Sequence, residues 1–394
     1  SGTVVQVIIN PGSSRLHAST IWIDDPGPLT DFLCAEDACF LRGSDGFVAL
    51  GEVARHESTS MTEADAWWRQ MVSEIENESE MPRRFGTGPL TYGTFCFDPG
   101  HTEYSSVLIV PEIIIGRHRG HSWLTQIGYD WVSPELPPRH SKPSPPTGLR
   151  FSSGSITESE WMGVVRDMTL RIRAGQASKV VLARDIEART DDPIDPRWPL
   201  RQLLASYGSC WNYLIDGLVG STPEMLVRRE RGLTTSRVLA GTVPRVEGVD
   251  DAQRAAQLVS SAKDLEEHRF AVNSVIESLR GHLLAMHVPE APYVLTLPNV
   301  LHLATDICGI SEPGLSTLAL ADAAHPSAAV CGAPTDVARQ LIAHYEQLDR
   351  GRFAGPVGWM DAQGDGEWAV ALRCGQIDAT DALADIAERL HRPE

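Results

Sequence analysis

The stretch "SKVVLARDIE" (178–187) puts a lysine at the head of a short aliphatic run. Val180, Val181, Leu182 and Ala183 read as a buried strand. The chain enters it from a helix with clear punctuation. Thr157 and Glu160 form a capping box ahead of Trp161, Val164, Val165, Met168 and Ile172, and Gly175 is the stop. A capped helix that feeds directly into an apolar strand sets an α/β pattern. That pattern continues through strands predicted at Trp211 to Asp216, Glu224 to Arg228 and Ser236 to Leu239, and a long helix from about Ala252 to Met286. "GPVGWMDAQGDGEWAVALRCGQI" (355–377) reads as two strands joined by a Gln-Gly-Asp-Gly turn.

Upstream, "GFVALGEV" (46–53) and "SSVLIVPEIIIGR" (105–117) are short apolar runs cut by Gly, Pro and Asp, and read as strands. "TEADAWWRQMVSEIENE" (62–78) predicts a helix with Thr62 as its cap and Ala66, Met71 and Ile75 along its body. The proline-rich "VSPELPPRHSKPSPPTG" (132–148) cannot form a regular element and is the best boundary candidate. It marks off an N-terminal part, 1–130, from a part spanning 151–394, with the proline-rich 131–150 between them.

At 394 residues, 42% hydrophobic and 22% charged, the chain has the composition of a globular protein with a sizeable core. Its 34 Lys and Arg against 52 Asp and Glu give a formal charge of −18, which repels polyanions and argues against nucleic acid or an anionic membrane as partner. A small anion would need a local cationic or metal-lined pocket. The seven cysteines are scattered without a CxxC pair, as expected of a reduced cytoplasmic protein. The apolar run in "SGTVVQVIIN" (1–10) is too short to span a membrane and lacks a basic n-region.

Several ionisable residues stand where chemistry could use them. Burying a lysine disfavours its charge and can make a base, so Lys179 is either such a base or a strand-edge residue whose ammonium reaches solvent. Glu224, behind the turn in "GLVGSTPEMLV" (217–227), is its mirror image: an acid held protonated in an apolar pocket, or a surface residue at a strand start. On the long helix Asp264, Glu267 and His268 fall at i, i+3 and i+4, a face that suits Mg²⁺ or is simply solvated. His302 and His325 read as satisfied core or loop histidines. Arg373, inside the apolar run of a predicted central strand, demands a carboxylate partner from protein or ligand.

Taken in order, "KVVLAR" (179–184), "GSTPEMLV" (220–227), "LAGTVPR" (239–245), "SAKDLEEH" (261–268), "VLHLATDI" (300–307), "HPSAAVCGAP" (325–334), "FAGPVGW" (353–359) and "GEWAVALRC" (366–374) resemble the chorismate-utilising enzymes. The likeness runs from about Ser155 to Ile377, and "FLRGSDGFVALGEVARHES" (40–58) also resembles this family. It implies the anthranilate synthase component I-like fold: an α/β unit of two facing antiparallel sheets with outer helices, to which the N-terminal part adds strands.

Within the family the likeness is strongest to the isochorismate synthase branch. Ammonia-using relatives carry glutamine where Lys179 stands, so a lysine implies water as nucleophile. Aminodeoxychorismate synthases carry a nucleophilic lysine where this chain has Ala240, and salicylate synthases usually lack His325-Pro326. The resemblance then implies that Lys179 activates water to attack C2 of chorismate while Glu224 protonates the departing C4 hydroxyl. It implies Mg²⁺ held by Glu267 with support from Asp264, a ring pocket lined by Gly241, Thr242, His302 and Ala329, and Arg373 gripping the enolpyruvyl carboxylate. The alternatives are a salicylate synthase and a non-catalytic chorismate-binding paralogue. The chain is expected to work as a cytoplasmic monomer. Siderophore, menaquinone and other routes stay open for its product.

Relatives continue past the Arg373 strand through a further strand, a glycine-containing turn and a helix with a second glutamate ligand, whereas here "DATDALADIAERLHRPE" (378–394) follows. Asp385 and Glu388 repeat the i, i+3 spacing of that acidic helix. Either a segment is missing near Asp378 to Asp381, or half of the metal site is.

Overall fold

The computed structural model describes residues 15–378 and 383–388. The run 1–10 and the junction at 379–381 lie outside those residues. Two large sheets are built. The first runs, neighbour to neighbour, through Arg150–Ser153, Arg184–Arg189, Leu383–Glu388, Cys374–Asp378, Leu218–Thr222, Trp211–Ile215, Ala38–Arg42, Asp45–Leu50, Ile113–His118, His121–Gly128, Leu16–Ile23 and Ile75–Ser79. Its pairings are antiparallel except for the parallel edge pair of Leu16–Ile23 with Ile75–Ser79. The second runs through Leu283–His287, Val300–Ser311, Leu233–Pro244, Met225–Glu230, Gly366–Val370, Pro356–Asp361, Leu90–Thr94, Ser106–Val110 and Ala54–Ser58, with Tyr293–Thr296 also on Val300–Ser311.

The sheets face each other across one aromatic-rich core. Phe47 of the first sheet meets Trp359 of the second edge-on, with ring centroids 5.7 Å apart, and Tyr92 lies alongside. Such a pair contributes about 0.5–1.5 kcal/mol beyond its buried area. Tyr213 and Trp368, from opposite sheets, are fully enclosed.

Seven α-helices are described: α1 (Met61–Glu74), α2 (Glu158–Arg173), α3 (Arg197–Ser206), α4 (Asp251–Ser260), α5 (Ala262–Leu279), α6 (Thr317–Ala324) and α7 (Thr335–Tyr345). Leu200 of α3 packs with Leu33, Val48 and Leu214 on the first sheet, away from the shared core. Helix α5 and helix α6 lie on the second sheet. The capping box of α2 forms as its sequence requires, with Glu160 N–H donating to Thr157 Oγ1 and Thr157 N–H to Glu160 Oε2. Helix α1 is capped two residues earlier than expected, by Ser60 rather than Thr62, and gives way at Ile75 to a strand.

Three expectations are corrected. The long helix is two helices, because Ser261 adopts an extended conformation (φ −75°, ψ 110°) and its hydroxyl accepts the Asp264 N–H to start α5 afresh. The Lys179 strand is only Lys179–Val180, paired with Gly332–Ala333 in a ribbon apart from both sheets. Asp385 and Glu388 lie on a strand between Arg184–Arg189 and Cys374–Asp378, so helical spacing does not apply to them. The proline-rich segment has no regular structure, and His140 N–H at its middle donates to Asp31 O.

Candidate functional site

Eight of the nine residues that the resemblance assigns to the site are linked through contacts or chain neighbours, and Ala329 is tied in through the bond its neighbour makes to α5. Lys179, on the small ribbon, places its ammonium 3.4 Å from Glu267 Oε1 of α5, with both side chains mostly covered. One turn earlier on α5, Asp264 faces Gly241: a Cβ added at that glycine would lie 3.1 Å from Asp264 Cβ and 3.2 Å from its carbonyl oxygen. Gly241 has φ +78° and sits in a bulge, where Ala240 and Gly241 together oppose Leu303, between the pairs Leu239 with Ala304 and Thr242 with His302. The bulge kinks Leu233–Pro244 where α5 crosses it, and a glycine there lets the helix approach.

From the bulge the path runs through Thr242. Its Oγ1 lies 2.8 Å from His302 Nδ1, and Arg373 Nη2 lies 2.9 Å from His302 Nε2. A guanidinium only donates, so Nε2 accepts, and His302 is the neutral tautomer donating from Nδ1 to the threonine hydroxyl. His302 is thus one link of a threonine–histidine–arginine chain.

Arg373 is not in a strand interior. Gly366–Val370 belongs to the second sheet and Cys374–Asp378 to the first, and the arginine occupies the crossing between them with φ +49°. The apolar residues on both sides of it belong to different sheets. Glu224 occupies the reverse crossing, between Leu218–Thr222 and Met225–Glu230, where it is 3% exposed. The two crossings lie side by side: Ser221 N–H donates to Arg373 O, and Val370 N–H donates to Glu224 O. The surface reading of Glu224 is therefore excluded, since its carboxyl is buried at the junction of the sheets.

Ala329, fully buried, lies in the segment leading to Gly332–Ala333, and its neighbour Ala328 donates its N–H to Ser274 Oγ on α5. His268 departs from the helix face it shares in sequence with the two carboxylates. It turns into the core, donating from Nδ1 to Ala240 O at 3.1 Å, with Nε2 2.7 Å from the Thr305 hydroxyl. Burial holds its pKa below the ordinary value, against the pull of the neighbouring Glu267. The imidazole pins α5 to both strands of the bulge. Sequence spacing gives no sign of this inward turn. His325 is satisfied by Phe97 O at 3.0 Å, and burial pushes it down to about 4.

Asp264 and Glu267 supply hard oxygen donors from neighbouring turns of one helix, and among the described residues no group of three or more His, Cys, Asp and Glu gathers as a metal set. Mg²⁺ commonly takes one or two carboxylates and completes its octahedron with water and substrate oxygens, so this donor pair fits it and fits zinc poorly. Among the described residues no helix is long and apolar enough to cross a membrane.

The chain belongs to the chorismate-binding enzyme family, whose model, described as "Chorismate binding enzyme", matches residues 133–384. A relative, isochorismate synthase DhbC of Bacillus subtilis, is 34% identical over 304 residues, covering 74% of this chain and 72% of the relative. MenF, the menaquinone-specific isochorismate synthase from Escherichia coli, has the same fold with a TM-score of 0.76 at 23% identity, covering 95% of this chain and 88% of that one. Anthranilate synthase component I from Streptococcus pneumoniae also shares the fold, with a TM-score of 0.66 at 20% identity and coverage of 98% and 89%.

Proposed function

We propose that this protein is a Mg²⁺-dependent isochorismate synthase that acts in the cytoplasm as a monomer. The observation that carries the reading is the separation of a lysine and a buried carboxyl on different elements of one contact path: Lys179 on its ribbon, Glu224 at the sheet crossing. The name of the Bacillus subtilis relative points the same way.

In this reading Lys179, as the neutral amine, takes a proton from water as its oxygen bonds to C2 of chorismate. Both ring double bonds shift along the ring, and Glu224 gives its proton to the C4 oxygen as that C–O bond breaks, so that one water is consumed and one released. The acid ends ionised and the base protonated, and solvent resets both. Burial suits Glu224 to this role, since an apolar setting favours a carboxyl that still holds its proton. Lys179 must loosen its contact with Glu267 during the cycle, because an amine paired as an ammonium has no lone pair to offer.

Arg373 holds the enolpyruvyl carboxylate, and its bond to His302 fixes the fork. Gly241, Thr242, His302 and Ala329 line the ring. Glu267 and Asp264 would hold Mg²⁺, which supplies positive charge for the ring carboxylate. Alanine at 240 leaves no amine for a covalent route at that position.

Incubation with chorismate and Mg²⁺, with products resolved by chromatography, tests the proposal. Isochorismate is expected. Salicylate with pyruvate would make it a salicylate synthase, and unchanged chorismate would make it a binding paralogue.

A further inference from the structure

Lys179 stands on a ribbon with only two residue pairs, Lys179 opposite Ala333 and Val180 opposite Gly332. Single backbone bonds extend it at each end, from Ser178 N–H to Ala333 O and from Val181 N–H to Cys331 O. Residues 181–183 then run outside any strand before Arg184 enters the first sheet. An isolated two-stranded ribbon is marginal on its own, so so short a ladder cannot by itself fix where an amine points.

A buried ion pair supplies the missing constraint. Glu346, at the end of α7, is 0% exposed and Arg350 8%. The guanidinium donates through Nε and Nη2 to the two Glu346 oxygens, each at 2.5 Å. Its remaining donors reach main chain: Nη2 to Val181 O at 2.8 Å and Nη1 to Val330 O at 3.0 Å. Glu346 Oε2 accepts the Ala183 N–H at 2.8 Å. The face of the fork lies 4.4 Å from the Phe97 ring. The pair therefore grips both ends of the strandless link that follows Lys179, and the carbonyl next to Ala329.

Buried ion pairs add little net stability over apolar residues of the same volume, because desolvation offsets most of the attraction. Stability alone gives no reason for a fork whose donors are divided between two separate backbone segments. We propose that Glu346 and Arg350 are a positioning pair for the isochorismate synthase reaction: through the backbone at 181–183 and 330 they set the Lys179 amine against the ring pocket. This inference rests on the reading of function given above.

Two variants test it, Arg350→Lys, which keeps a cation for Glu346 but cannot fork to two carbonyls, and the charge-free double variant Glu346→Gln, Arg350→Met. For each, thermal unfolding reports the fold, isochorismate formation gives kcat and KM, and trinitrobenzenesulfonate labelling of Lys179 across pH, read by peptide mass mapping, reports the amine without turnover. A misplacement of about 1 Å costs on the order of 100-fold in rate. The expected result is a folded variant whose kcat falls at least about tenfold with KM within about threefold of wild type, and whose Lys179 labelling profile shifts. A lower melting temperature with unchanged kcat and labelling would make the pair purely structural. Failure of both variants to fold cooperatively would also overturn the positioning role. If the wild-type protein makes no isochorismate, the functional reading falls, and the labelling profile alone decides the inference.

Discussion

At the residue scale, one lysine faces two demands. Its ammonium lies against Glu267, yet its proposed work needs the free amine. Replacing Lys179 with alanine should abolish turnover, because the base is deleted, while unfolding stays cooperative. The same variant removes the cation beside Glu267. Mg²⁺ titrated calorimetrically should therefore bind more tightly to Lys179→Ala than to wild type, weakly in both without chorismate, and with positive coupling once chorismate is added, because metal and substrate complete each other's oxygen set. Tight binding to wild type alone, or no coupling, would speak against the Asp264 and Glu267 assignment. At the crossing between the sheets, Glu224→Gln keeps shape and loses the proton. Its kcat should fall about 10²- to 10⁴-fold with KM nearly held, and a change confined to KM would make Glu224 a binding residue instead.

At the scale of elements, the placement of the carboxylates depends on where α5 begins. The Ser261 hydroxyl accepts the Asp264 N–H and turns one expected helix into two. Ser261→Ala should cost about 1 kcal/mol in chemical denaturation and weaken Mg²⁺ binding, while Ser261→Asp, which can still cap, should restore both. The Ser-x-x-Asp signal for that break was present in the sequence, but the continuing helical pattern on both sides of it concealed the break. The capping box of α2 was legible because it is wholly local. Lys179–Val180 was not, since its partner Gly332–Ala333 lies far along the chain and nothing in the aliphatic run says how few residues will pair. Arg373 misled for a related reason: apolar neighbours on both sides imitate a strand interior, whereas they line two different sheets. The residues of the family motifs could be picked out in the sequence, and their contacts could not. His268 looks like a member of the acidic face and turns inward because α5 crosses a bulge that only tertiary structure defines.

At the scale of the whole molecule, acid should loosen the fold through histidines held neutral. The imidazole of His325 is lowered to about 4, so the unfolded chain takes up its proton first. Its contribution is complete above about pH 6.5 and is lost progressively as pH falls to about 4, a difference of about 3 kcal/mol. His268 acts in the same direction. Urea unfolding between pH 7.5 and 4.5 should show this slope, and His325→Asn should flatten it; equal slopes would place the acid sensitivity elsewhere. The paired crossings at Glu224 and Arg373 have a mechanical consequence. They are two stitches of one seam. The outer edges of the sheets can flex without dragging on it, but any sliding of one sheet over the other pulls on the seam at once. Lesions that leave both crossings intact, such as loss of the Phe47–Trp359 contact, should lower the melting temperature before they lower the rate. A residue inserted into either stitch should do the reverse, and the enzyme would then lose its chemistry while it still kept its shape.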